Sequence, residues 1–254
     1  MLLFEDDDVI VLSKPAGVLS VPGRGEDKQD CVLSRLHAQG HKALVVHRLD
    51  TATSGLMVFA KHVAAQRSLS HAFATRQTHK TYEAIVQGDP SPDLPDKATE
   101  HTTHHATQHT SDQASDHTPP HNLYSNNNGY SDSSAPWHRI SGALIIDWPN
   151  RPRSKVCELS GKPALTLWQR MDHAPAGQTR LRLRPITGRT HQLRVHLMHI
   201  GHPIMGDALY HPSFHHLTNE GEQAPARLLL HATHLSFAGL RDGALQTWHC
   251  PAPF

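Results

Sequence analysis

The sequence predicts a protein of mixed α and β structure in which short strands outnumber helices. Three observations point to it. Apolar runs at 9–12, 43–46, 56–60, 80–86, 143–147, 164–168, 179–185 and 228–237 either alternate or stay continuously apolar, as strands do. Residues 31–39, 62–75 and 190–200 instead space apolar side chains three and four apart, the period of a helix packed on one face. Residues 91–136 do neither. They are His, Thr, Ser, Asp, Asn and Pro with almost no aliphatic side chain, and cannot bury enough apolar surface to offset the entropy of ordering. We read them as a disordered insertion within a single domain over 1–254.

Taken in order, the strand at 9–12 runs into the turn Lys14-Pro15-Ala16-Gly17, and a second short strand at 18–21 stops at Pro22-Gly23. Asp30 is placed to cap the helix over 31–39, which carries Leu33 and Leu36 on one face and stops at Gly40. The strands at 43–46 and 56–60 flank a charged corner and a turn of small residues. Ala65, Leu69, Ala72 and Phe73 give 62–75 its packed face, while Tyr82, Ala84 and Val86 share one side of the strand over 80–86. In 179–185, Leu181 and Leu183 alternate with Arg180, Arg182 and Arg184, so a core face backs a row of guanidinium groups. Leu193, Leu197 and Ile200 form the buried side of 190–200, with Gly201 as its stop. Arg194 lies beside that apolar face and needs an anionic partner, because desolvating an unpaired charge is costly. The end of the chain, Cys250-Pro251-Ala252-Pro253-Phe254, adds little.

The formal net charge is +1, but it is unevenly spread. Between Asp89 and Ala135 there are seven acids and one base, Lys97, which leaves 23 bases against 16 acids elsewhere. The part that packs is therefore basic, as suits a protein that handles a polyanion. Three widely spaced cysteines, Cys31, Cys157 and Cys250, argue against both a disulfide framework and a zinc site. The acidic start of the chain does not read as a secretory signal, and no run approaches a membrane span. These features predict a soluble, cytoplasmic protein, and a chain with no obvious interface helix is by default a monomer. His101, His104, His105, His109, His117 and His121 invite a metal-binding reading, but with 24 histidines in the chain a biased composition explains the cluster more cheaply.

The charged corner is Val46-His47-Arg48-Leu49-Asp50-Thr51-Ala52-Thr53-Ser54-Gly55-Leu56. A carboxylate there is displayed by a rigid strand end, which makes Asp50 the leading candidate for a working acid. Alone, such an aspartate is most often a turn former capping nearby N–H groups.

Its company decides between them. The chain resembles the RluA-type pseudouridine synthases along most of its ordered length. The resemblance rests on Ser13 to Gly17, His47-Arg48-Leu49-Asp50-x-x-Thr53-Ser54-Gly55, Lys80-x-Tyr82-x-Ala84 and the run from Arg184 to His196. It extends to Gly201-His202-Pro203-Ile204-x-Gly206-Asp207 and Leu229-Leu230-His231-Ala232. Asp147-Trp148-Pro149-Asn150-Arg151-Pro152 and Lys155-Val156-Cys157 are similar to the branch that modifies tRNA anticodon-loop position 32 and 23S rRNA position 746. The insertion is not part of the family pattern.

The resemblance implies an α+β fold, a bent, mainly antiparallel mixed β-sheet with flanking helices, and an RNA substrate, tRNA or 23S rRNA, lying across a basic cleft. It implies isomerisation of uridine with no cofactor and no metal. Asp50 supplies the carboxylate and Arg194 the fixed cation beside it. Tyr82 stacks on the uracil and assists removal of the C5 proton. Arg48 fills the space left by the flipped nucleotide, and Leu193 floors the pocket beside Thr53. Lys14, Arg151, Arg153 and Arg189 are assigned to phosphate contacts. The competing expectation is a non-catalytic RNA-binding or RNA-remodelling protein that keeps the cleft and not the chemistry.

Overall fold

The computed structural model describes residues 2–90, 136–171, 174–212 and 227–254. The insertion expected at 91–136 falls outside these residues except for Pro136.

The strands are β1 (Leu2–Glu5), β2 (Val9–Lys14), β3 (Leu44–Val45), β4 (Ser54–Ala60), β5 (His79–Gln87), β6 (His138–Ile146), β7 (Ser154–Val156), β8 (Lys162–Met171), β9 (Gln178–Pro185), β10 (Leu230–Ala238) and β11 (Leu245–His249). The helices are α1 (Val32–Ala38), α2 (Val63–Ala74) and α3 (Gln192–His199). The strands join one sheet in the order β1-β2-β4-β10-β5-β9-β8-β6-β7, with β3 added to β4 and β11 to β10. Every pairing is antiparallel except that of β4 with β10.

Local chemistry explains most boundaries. β4 is buried at all seven positions, which is why it reads as a continuous apolar run. β9 keeps the alternation read from its sequence: Leu181 and Leu183 are fully buried, and the arginines between them are half-buried. α2 is capped by His62, whose ring nitrogen accepts from the Ala65 N–H at 3.2 Å. α2 packs on β3 and β4 at one end of the sheet, and α3 on β6 to β9 at the other.

Two local expectations are corrected. Asp30 does not cap α1: it pairs with Arg35 at 2.7 Å, and Cys31 caps instead, its Sγ accepting from the Ser34 N–H. The stretch at 18–21 is not a strand, because only Leu19 bridges to Cys31 while the Ser20 hydroxyl is spent on the backbone of Leu49.

The parallel contact of β4 with β10 is the joint of the sheet. It has only two paired positions, Ser54 with His231 and Ala232 with Gly55. Gly55 has φ of 109°, and a Cβ there would lie 2.3 to 2.8 Å from backbone atoms of Ala232. Only glycine allows this approach. The Ser54 hydroxyl adds a 2.7 Å contact to His231 Nδ1 across the same joint.

Candidate active site

The β3–β4 connection carries Asp50. His47 stacks on Phe73 of α2, with ring centroids 4.5 Å apart, and its Nε2 accepts the Val58 N–H at 3.1 Å. Burial lowers the His47 pKa to about 3, so it is a neutral fixture of the loop. Leu49 is buried, held by the Ser20 hydroxyl, which accepts from its N–H at 3.1 Å and donates to its carbonyl at 2.7 Å. His47 and Leu49 anchor the loop, and Arg48 and Asp50 line the cleft with them, Arg48 exposed and Asp50 half-buried. Thr53, buried, closes the turn by donating its N–H to the Asp50 carbonyl at 3.1 Å.

Lys14 underpins this loop from within. Its side chain is inaccessible, and its ammonium donates to the carbonyls of Pro15, Val18 and Thr51 at 2.9, 2.7 and 3.0 Å. Burial lowers its pKa to about 8, against the opposing pull of the Asp50 charge. The phosphate contact assigned to Lys14 is therefore corrected: all three of its donors are committed to backbone, and solvent does not reach it.

The other wall comes from the start of α3. Gln192 ties the turn before it, accepting from Thr187 Oγ1 at 2.7 Å and the Arg189 N–H at 3.0 Å and donating to the Leu165 carbonyl at 3.0 Å. Arg194 then points at two carboxylates. It donates two parallel hydrogen bonds to Asp207, 2.8 Å from Nε and 2.7 Å from Nη2, and its Nη1 lies 3.7 Å from Asp50 Oδ2. The Asp207 side chain is completely buried and also accepts the N–H groups of Leu209 and Tyr210. Burial opposes the charge on Arg194, but Asp207 outweighs it and holds the guanidinium charged. The anionic partner that Arg194 requires is therefore Asp207 first and Asp50 second. Asp207 ended one of the family-like runs in the sequence, yet nothing in that run said which buried cation it would meet.

His191, just before α3, was also missed. Its Nε2 lies 3.8 Å from the same Asp50 oxygen that Arg194 approaches.

Between the walls lies a cleft of about 2040 Å³, larger than the roughly 300–1,000 Å³ usual for a small-molecule pocket. Arg48, Asp50, Thr53, Tyr82, Arg189, Leu193 and Arg194 all line it. Arg182 and Arg184 extend it over the sheet, while Arg180, the first of the β9 row, pairs with Glu83 outside it. Tyr82 is buried to 9% exposure, and burial together with the Asp50 charge pushes its phenol above the usual value. Arg151 and Arg153 do not line the cleft. Arg151 stacks on Trp148 and Arg153 donates to the Leu209 carbonyl, leaving Pro152 between them as the residue that faces in. Among the described residues no group of three His, Cys, Asp or Glu could hold a metal ion, and the six histidines of the insertion lie outside those residues. None of the described helices is long and apolar enough to cross a membrane.

Residues 8–199 match the family described as RNA pseudouridylate synthase. The chain is 37% identical over 259 residues to the dual-specificity RNA pseudouridine synthase RluA of Escherichia coli K12, covering all of this chain and 94% of that protein. It is 38% identical over 257 residues to the RluA of Vibrio vulnificus CMCP6, covering 100% of this chain and 83% of that one. Among solved structures, human RNA pseudouridylate synthase domain containing 1 superposes with a TM-score of 0.66 at 24% identity, over 100% of this chain and 83% of that one, a likeness of fold. The chain belongs to the RNA pseudouridylate synthase family and is an isomerase that converts uridine to pseudouridine in RNA.

Proposed function

We propose that the cleft isomerises a uridine flipped out of a structured loop, with the tRNA anticodon loop and the 23S rRNA hairpin named above as its targets. The observation that carries this is Asp50, a carboxylate left 31% exposed at the meeting point of Arg194 and His191 in a cleft sized for a macromolecule. The relatives' printed description as dual-specificity enzymes supports two RNA targets.

In the reaction the C1′–N1 bond breaks, the uracil turns, C1′ bonds to C5, the C5 proton leaves and N1 gains one. Atoms balance with no oxidant and no co-substrate, which fits an enzyme working without cofactor or metal. Asp50 acts on the sugar or the base while Arg194 stabilises its charge as water is excluded. Tyr82 stacks on the uracil, and its raised pKa favours that role over service as a base. Exposed Arg48 enters the space vacated by the nucleotide, offsetting lost stacking of a few kcal/mol. Leu193 floors the pocket, and exposed Arg189 meets phosphate. We place the enzyme in the cytoplasm as a monomer, one domain interrupted by the insertion.

The test is tritium release from 5-tritiated uridine in tRNA and in a 23S rRNA hairpin. Wild type should release tritium from both, and Asp50→Asn should lose at least about 10⁴-fold in rate. Equal release by the two proteins would overturn the role of Asp50. RNA binding without release by wild type would favour an idle RNA-binding protein.

A further inference from the structure

His191 is the one residue at the Asp50 carboxylate whose donor is chosen by a chain of hydrogen bonds behind it. The Ser154 N–H donates to Tyr210 Oη at 2.7 Å. Burial pushes the Tyr210 phenol up, so the hydroxyl keeps its proton. With one lone pair already accepting from Ser154, that proton goes to His191 Nδ1, 2.7 Å away. Nδ1 is thereby the acceptor of the ring. Burial also holds the imidazole below its usual range, against the pull of Asp50, so the ring is neutral and its single N–H is on Nε2. Nε2 is the nitrogen that faces Asp50 Oδ2.

The backbone is bent to achieve this. His191 has φ of 56°, in the left-handed region that non-glycine residues rarely enter, at the residue immediately before α3. The ring stands edge-on to Tyr210, with centroids 5.5 Å apart at 84°, and Arg194 lies over the same tyrosine ring at 5.0 Å. Tyr210 thus orients both groups that approach Asp50. Both make their nearest approach to the same oxygen, Oδ2, at 3.8 and 3.7 Å.

We propose that His191 is a positioning residue that, with Arg194, fixes the orientation of the Asp50 carboxylate by holding Oδ2. This rests on the reading of Asp50 as the reacting carboxylate. The separation of 3.8 Å exceeds a hydrogen bond. Such contacts shorten when substrate fills a site and excludes water, which also strengthens the attraction.

Two replacements separate the donor from the shape. His191→Asn reaches only as far as Nδ1, so it can meet Tyr210 but not Asp50, and Asn tolerates the positive φ. His191→Gln is long enough to place an amide N–H near the position of Nε2. With the tritium assay, His191→Asn should lower kcat about 30-fold with KM within about threefold, and His191→Gln should regain about tenfold of that loss. A kcat for His191→Asn equal to wild type would overturn the proposal. So would a His191→Gln variant as impaired as His191→Asn, because the residue would then serve only as packing. Wild type and Asp50→Asn are run alongside. Equal release by those two would remove the Asp50 reading itself, whereas wild-type release with a silent His191→Asn would remove only this inference.

Discussion

Two buried cations approach the loop of Asp50 from opposite walls of the cleft, and they are stabilised in different ways. Lys14, at the end of β2, faces three carbonyl oxygens and no carboxylate at hydrogen-bond distance. Arg194, in the first turn of α3, is locked by two hydrogen bonds to Asp207. Dipoles solvate Lys14 incompletely, and its pKa falls to about 8, whereas a full carboxylate keeps Arg194 charged in a site 4% exposed. The difference separates two tasks: Lys14 holds the backbone of the loop in place, and Arg194 holds a charge in place. A compact ammonium that can reach three backbone oxygens suits the first task. A rigid fork that can bind one carboxylate and still address a second suits the second.

The comparison breaks most sharply at Arg194. Arg194→Ala leaves Asp207 buried and unpaired, so it should cost about 3–5 kcal/mol of stability as well as about 10³-fold in turnover. A double variant, Arg194→Met with Asp207→Leu, should regain most of the stability and none of the turnover. Denaturant unfolding beside the tritium assay reads both effects, and recovery of turnover in the double variant would show that Arg194 serves the fold alone.

Lys14→Met should act more mildly. Three carbonyls lose their donor, for about 2 kcal/mol of stability, and turnover falls about tenfold as the anchor on Thr51 slackens. Its pH dependence has a definite sign. The folded pKa of about 8 lies below lysine's ordinary value of 10.5, so between them the unfolded chain binds more protons and wild type gains stability as pH rises. The gap in Tm between wild type and Lys14→Met should therefore widen in favour of wild type from about pH 7.5 to about pH 10. A gap that narrows would mean that Lys14 is better solvated than its contacts indicate.

The smallest effect is expected from the insertion. Deletion of residues 91–136, replaced by a short Gly/Ser linker, should leave turnover within about threefold of wild type. A larger loss, or sensitivity of the full chain to a chelator, would revive the histidine cluster as a functional element.

How much of this was legible in the sequence depended on how local the cause was. The alternation of β9, the apolar run of β4 and the spacing of α2 are set by near neighbours and were read with their boundaries nearly right. β7 and β11 were not, because a short strand at the margin of a sheet needs only one apolar face or none. At the site, Asp50 and Arg194 were recognisable from their motifs. Asp207 was not, since a buried aspartate and a turn-forming one look alike until the cation it pairs with is placed in space. Lys14 failed for a related reason. A lysine after a strand is normally free to reach solvent, and only the fold of the loop over it closes that exit.

The glycine joint between β4 and β10 has a consequence for how the protein comes into being. Residues 8–199, the part that matches the family, already contain Asp50, Tyr82, His191 and Arg194. They do not contain β10, the strand inserted between β4 and β5 at the middle of the sheet. A nascent chain therefore carries the reactive residues well before it carries the piece that joins their two walls. Without Ala232 set against Gly55, the strands beside Asp50 and those under Arg194 lose the β4–β10 pairing between them. The strand that joins the two walls thus follows all four of these residues in the chain and contributes none of the chemistry.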